Sequence, residues 1–366
     1  MTKTTAVQAV LAISTILCAA TCCWAGPDSG PTWAKWTRRP EPVFTGQYIA
    51  SDPCVIRDGN RYRMFYSGLT DWTTKPETGE LVWFRIAICQ ATSRDGFLWE
   101  HVPVSGPYEG LMLHGEQGKW DEVLETCYAV KNSDEDYLLY YIGYRKDKDQ
   151  DADGGHSSLG VARSGNAVCF AKDPANPILT RTDGGYDFNL IASPTIVKEG
   201  GAYYMVYCGH RYKGGDDGPG VRLLGATSKD GINWTKSAKP VLERNKDIAW
   251  MNEGVGEPAL VKGPDNKFYL FFTGLGPTDV PVECLIVNQG GGRVIGAAQG
   301  DTPFGPWVVN PNPIVLQTPY SFDESAAIAP DVLIEGDTVR MWYMGFDRKE
   351  KPVVAYAEAK WPLKTD

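Results

Sequence analysis

The sequence predicts an all-β protein, a five-bladed β-propeller built from four-stranded antiparallel blades. Three observations predict it. One segment pattern recurs five times, each recurrence carries a tight turn between alternating polar and apolar residues, and no stretch competes with a helical period. The composition agrees, because 40 Gly, 25 Pro, 12 Trp and 18 Tyr in 366 residues describe many turns joined by short aromatic-rich strands.

Each repeat opens on a small or acidic residue, usually followed by Pro, and continues as an apolar run, a polar turn and an aromatic strand closing on Gly. The five run from Asp52 to Gly68, Thr126 to Gly143, Ser193 to Gly209, Glu257 to Gly274 and Ala329 to Gly345. Each reads as a hairpin, and a second hairpin follows it. Ala91-Thr-Ser-Arg-Asp-Gly-Phe-Leu-Trp99 and Ala226-Thr-Ser-Lys-Asp-Gly-Ile-Asn-Trp234 place Asp-Gly between two strands, where Gly accepts positive φ; Gly296 to Trp307 is a variant ending Phe-Gly-Pro-Trp. Two hairpins make a four-stranded blade. The domain then covers 40–366, preceded by a connector over 26–39.

Within the first hairpins the turns are short. The connections after the closing glycines are long, over about 69–84, 144–158, 210–221 and 275–292. They leave the end of the second strand, beside the start of the first, so long loops and repeat starts share one face. Long loops on one side of a rigid scaffold commonly carry function.

Net charge of −9 and the lack of a basic stripe argue against nucleic acid as a partner. Lys3 followed by the apolar run Ala6 to Ala20 reads as a signal peptide over 1–25, with cleavage near Cys23-Trp24-Ala25. A secreted or periplasmic protein is expected, with no membrane span in the mature chain. Cys54, Cys89, Cys127, Cys169, Cys208 and Cys284 are widely spread and show no metal-binding spacing, so free thiols, mostly buried, are expected.

In a propeller the first strand of each blade lines the central channel. Its five equivalent starts hold Asp52, Thr126, Ser193, Glu257 and Ala329. An acid required by the turn itself would recur in every blade, and it does not. Two carboxylates in register suit glycoside hydrolysis, which needs one acid to protonate the leaving oxygen and one carboxylate to activate water or attack the sugar. A carbohydrate substrate is therefore expected.

The Asp-Pro-x-Val start, the Tyr-x-Met-x-Tyr-Ser-Gly strand, the Ser-x-Asp-Gly-x-x-Trp turns and the Phe-Gly-Pro-Trp element resemble the five-bladed glycoside hydrolases over about residues 40 to 361. Family 43 is nearest in pattern, with families 32 and 68 less close. The resemblance implies Asp52 as base and Glu257 as acid. It also implies a second Asp that tunes the pair, and that register position holds Ser193. The Glu-x-Pro of many family 43 members is here Glu257-Pro258, one residue shorter, a shift that could turn the side chain away from the channel. The third acid must come from elsewhere or be absent; Glu125, one residue before its register position, and Asp331, two after, are the candidates.

Asp121, Asp187 and Asp323 each follow an aromatic residue shortly before a repeat start, and that recurrence reads as structural. His210 and Arg211, just after a closing glycine, and Arg145 with Arg348 are candidates for contacting a sugar hydroxyl, a carboxylate or a sulfate. Trp72 and Trp83 on the first long loop are candidates for stacking on sugar, and Ser193 is a candidate substrate contact. Acid/base chemistry requires no cofactor. Some relatives carry a channel calcium, and no ligand set in this sequence marks one. Two other functions fit the same features: a non-catalytic carbohydrate-binding propeller, and a phosphorylase or transglycosylase, the former using the arginines to hold phosphate.

Overall fold

A computed structural model describes residues 32–365, apart from 48, 75–80, 105–108, 146–156, 212–219, 277–291, 319 and 347–350. Five antiparallel sheets form a ring, with innermost strands Ser51–Asp58, Val123–Ser133, Leu190–Glu199, Gly254–Lys262 and Ala326–Glu335. Each is followed outward by its repeat partner, a third strand and a short outer strand. Four sheets are built from consecutive strands. The fifth takes its outer strand, Trp36–Arg38, from the N-terminal segment, which pairs with Pro352–Lys360 near the other end. Thr32–Trp33 also pairs with Lys364–Thr365. The segment expected as a connector over 26–39 is thus, in residues 32–33 and 36–38, strand that clasps the ring shut. The leader-like residues 1–25, Cys284 and Arg348 lie outside the described residues.

The aromatic positions of the second strands explain what joins the blades. Flat blades meet face to face, and each of the five junctions has its own apolar core. Phe65 meets Leu124 and Tyr141 between blades one and two, while Tyr140 meets Met205 and Tyr207 between two and three. Met64, Tyr66 and Trp342 fill the junction of blades five and one. Burying such side chains is worth about 1.5–3 kcal/mol each, which holds the ring rigid around its axis. The first long hairpin is longer than its repeats: the strands Arg61–Thr74 and Leu81–Ser93 continue their ladder beyond Gly68. β-Branched and aromatic residues on both sides support the extension.

The Asp-Gly turns form as the sequence implies. Asp95 Oδ1 accepts the N–H groups of Phe97 (2.8 Å) and Leu98 (2.9 Å), and Asp230 Oδ1 those of Ile232 (2.9 Å) and Asn233 (2.8 Å). Blade two achieves the same with Asn166, whose Oδ1 accepts from Val168 and Cys169. Cys54, Cys89, Cys127 and Cys208 are buried free thiols, whereas Cys169 is a free thiol exposed at the tip of that turn.

Asp121, Asp187 and Asp323 are structural, and their geometry shows why they recur. Each is buried and accepts a hydroxyl from the second strand of its own blade: Tyr141, Tyr207 and Tyr343. Each also pairs with a cation from the outer strand: Lys172 (2.5 Å), Lys236 (2.5 Å) and Arg38 (2.8 Å). The Asp stitches inner to outer edge. Blade four replaces this clasp by Trp250 stacked on Phe272. The closing glycines belong to the same device, since a Cβ on Gly143 would meet Trp120 and Asp121 at 2.7 Å. Asp187→Ala leaves the buried Tyr207 hydroxyl and the Thr182 N–H without their acceptor and Lys236 without its counter-charge, so it should cost about 3 kcal/mol in urea unfolding with kcat unchanged.

Candidate active site

The channel positions are built by a β-bulge repeated five times. Two residues of the innermost strand oppose one of the second: Asp52-Pro53 face Tyr66, Thr126-Cys127 face Tyr141, and Ser193-Pro194 face Tyr207. Glu257-Pro258 face Phe272, and Ala329-Pro330 face Tyr343. An unpaired bulge residue needs no ladder N–H, which is why Pro is accepted there. All five leading residues hold positive φ: 50° at Asp52, 43° at Thr126, 47° at Ser193, 46° at Glu257 and 48° at Ala329. No glycine relieves any of them. Such strain costs on the order of 1 kcal/mol per site and persists where the surroundings enforce it. Here it turns each leading side chain toward the axis, and the five bulges line one cavity with Tyr128 and Asp331. The shortened Glu257-Pro258 does not turn the Glu away, because Glu257 occupies the same bulge position with the same φ as Asp52.

Two sets of hydrogen bonds tie neighbouring blades together at the bulges. Thr126 N–H donates to Ser67 Oγ (3.0 Å), Ser193 N–H to Thr126 Oγ1 (3.1 Å), and Ala329 N–H to both Thr273 Oγ1 (3.1 Å) and Glu257 Oε2 (3.2 Å). One layer deeper, Ala129 N–H donates to Cys54 Sγ (3.2 Å), Leu260 N–H to Thr195 Oγ1 (3.0 Å) and Val55 N–H to Asp331 Oδ2 (2.6 Å). Asp331 therefore holds the register place of Cys54, Tyr128 and Thr195, and its geometry is that of an inter-blade tie. Thr126 is used similarly, as a neutral link, and Ser193 enters through its backbone N–H.

Asp52, Glu257 and Glu125 form the electrostatic centre. Burial raises the Asp52 carboxyl to about 7, Glu257 adds repulsion, and the Ser51 and Ser67 hydroxyls oppose both. Glu125 is buried, accepts the Tyr144 hydroxyl at Oε1 (2.7 Å), and is also raised to about 7 by burial, against that hydrogen bond, with a further push from Asp52. Burial raises Glu257 too, while the Thr273 hydroxyl (2.5 Å), Arg293 and the Ala329 N–H favour its ionised form. Mutual influence makes the titration a property of the cluster. Near neutral pH such a cluster holds both a proton and a negative charge, as acid/base chemistry requires. Of the two candidates for the third acid, Glu125 is the one electrically coupled to Asp52. Asp331 is likewise raised to about 7 by burial, but two backbone N–H groups engage it.

Arg293 was not singled out by its sequence pattern. It is buried in the third strand of blade four, Gly292–Gly300, close enough to Glu257 to favour its anion. A lone Arg in an apolar strand was the available signal. His210 is buried, and burial together with Arg222 lowers it to about 4, so it is a neutral imidazole at pH 7. Arg145 and Arg211 are half-buried at the ends of second strands on the long-loop face. Trp72 falls in the strand Arg61–Thr74, with its side chain, like that of Trp83, outside the described residues. Among the described residues no group of three His, Cys, Asp or Glu side chains could hold a metal ion.

No protein-family model matches the chain, and no curated protein matches it. Solved structures do. One comes from work on mannoside phosphorylase family GH130 and its hydrolases targeting β-1,2-mannosidic linkages in Candida mannan. It is 14% identical, with TM-score 0.63, over 92% of this chain and 98% of that one. The β-1,2-mannobiose phosphorylase of Listeria innocua is 12% identical, with TM-score 0.62, over 89% and 96%. A thermostable family-43 glycoside hydrolase is 17% identical, with TM-score 0.58, over 90% and 92%. The fold is a five-bladed β-propeller, shared with these structures. At these identities the likeness carries the fold, and the function must be argued from the site.

Proposed function

We propose that the protein is a glycoside hydrolase whose channel carboxylates Asp52 and Glu257 divide the acid and base roles, with Glu125 coupled to Asp52 as the third acid. One observation carries the reading: two carboxylates from non-adjacent blades occupy equivalent strained bulges that aim them into a single cavity. The carbohydrate-active neighbours support it, and the leader-like residues 1–25 fit a substrate met outside the cytoplasm. A phosphorylase is the second reading, favoured by the buried Arg293, whose charge acts on Glu257, and by the phosphorylases among the neighbours.

Plant and algal polysaccharides with their oligosaccharides, incubated with and without inorganic phosphate, test both. Phosphate-independent release of sugars supports the hydrolase; strictly phosphate-dependent release of sugar phosphates replaces it with the phosphorylase. Binding on a glycan array without any cleavage would leave only a carbohydrate-binding protein. An activated aryl glycoside separates the roles, because a good leaving group needs no proton. If Glu257 is the acid, as the family resemblance implies, Glu257→Gln keeps most of its rate on that substrate and Asp52→Asn does not. If the donors around Glu257 hold it as the working anion, the pattern reverses.

A further inference from the structure

The connectors that carry each blade into the next cross the long-loop face, and three share one turn. Lys119 N–H donates to the Glu116 carbonyl (3.0 Å), Gly185 N–H to that of Thr182 (2.9 Å) and Ser321 N–H to that of Thr318 (3.2 Å). Two residues after each turn's acceptor, the chain takes positive φ: 75° at Gly118, 68° at Gly184 and 60° at Tyr320. The next aromatic and Asp, as in Phe322-Asp323, then anchor the connector against the blade. Two of these turns use glycine, the residue that accepts such a φ without strain. The third uses a tyrosine, which pays a steric penalty there.

Packing does not explain the exception. Tyr320 is 94% exposed, and its connector is already anchored by Phe322 in the core and by Asp323 on Tyr343 and Arg38. Leu316 on the same connector is 55% exposed. A large ring is thus held out from the active face at a backbone cost, in the sector shared by blades four and five. Glu257 belongs to that sector through its hydrogen bond with the Ala329 N–H. Arg38, on the outer strand, ties this connector on both sides of Tyr320, at Leu316 and at Asp323, and so anchors it toward the outer edge of the blade.

We propose that Tyr320 is an outer subsite that stacks on a pyranose ring of an extended glycan, several sugars from the bond acted on. The inference rests on the carbohydrate reading above. An aromatic face matches the apolar C–H face of a sugar, and a rigid ring loses little entropy on binding. Its use would appear only with substrates long enough to reach the rim.

The test compares Tyr320→Gly and Tyr320→Phe with the parent on a ladder from disaccharide to hexasaccharide and on the polymer. Tyr320→Gly relieves the positive φ, so it should fold at least as stably. It is expected to raise KM for the longest oligosaccharides and the polymer about tenfold, to leave disaccharide kcat/KM unchanged, and to differ from Tyr320→Phe, which should match the parent. Unchanged KM on long substrates overturns the subsite while leaving the hydrolase intact. A parent that neither cleaves nor binds any glycan overturns the carbohydrate reading and the subsite with it.

Discussion

Asp52→Asn and Glu257→Gln should each lower kcat on a natural glycan by roughly 10²–10⁴-fold, the range that loss of a positioned acid or base commands. Both variants keep the size of the parent side chain, and the amide oxygen of Glu257→Gln can still accept from Thr273 and the Ala329 N–H as Oε2 does, so the blade-to-blade ties around the bulges survive. Loss of rate with retained glycan affinity would locate the effect in the chemical step. The pH profile follows from the same cluster. Activity needs one carboxyl protonated and another ionised, and Asp52 and Glu125 are both raised to about 7. The rate should therefore fall as pH rises past about 7, where the cluster gives up its last proton. A parent rate that is flat from pH 6 to 9, or variants as fast as the parent, would remove the acid/base assignment.

Asp331→Asn should make the protein more stable at pH 8 and nearly indifferent to the change between pH 5 and 8 at this residue. The Asp331 carboxyl is raised from 3.8 to about 7 by burial. Below 3.8 it is protonated in both folded and unfolded chains, and its neutral form is well accommodated. Between about 4 and 7 the unfolded chain ionises while the folded one still holds its proton, so stability falls with rising pH. Above 7 the loss is complete, up to about 4 kcal/mol at 1.4 kcal/mol per unit. Asn avoids the charge and can still accept the Val55 N–H that Asp331 Oδ2 accepts at 2.6 Å. Thermal unfolding at pH 5 and pH 8 reads the difference, as a Tm gain of a few degrees at pH 8. The groups facing Asp331 are Cys54, Cys127 and Tyr128, none of them charged near neutral pH, since burial raises all three. A Tm gain equal at both pH values would show that the carboxyl is not protonated in the fold. Asp52→Asn should show the same sign, gaining stability as it loses activity.

The Asp121, Asp187 and Asp323 motif illustrates how much function-free structure a sequence can declare. Its recurrence in three blades already separated it from chemistry, and the buried Asp–Tyr–cation clasp is the physical cause of the recurrence. The acids could be sorted from sequence only by register. Register puts Asp52 and Glu257 on equivalent positions and leaves Glu125 and Asp331 equally eligible as their companion. The choice depends on where a carboxyl points and what surrounds it: Tyr144 and Asp52 for one, the Val55 and Val332 N–H groups for the other. Arg293 escaped notice because its partner is 36 residues away in a different strand, and one-dimensional spacing carries no trace of that proximity.

The repeat pattern by itself determined the architecture: five hairpin pairs, their starts in register, the long loops on one face, and two carboxylates at the channel. Period-two alternation and turn chemistry are local properties, so they are written residue by residue along the chain. The tertiary structure alone decided the rest. It recruited Trp36–Arg38 to close the ring, placed five strained bulges around one cavity, and joined Glu125 and Arg293 to the Asp52 and Glu257 pair. Those outcomes depend on packing, desolvation and charge–charge distances between residues remote in sequence, and such quantities exist only once the chain has folded.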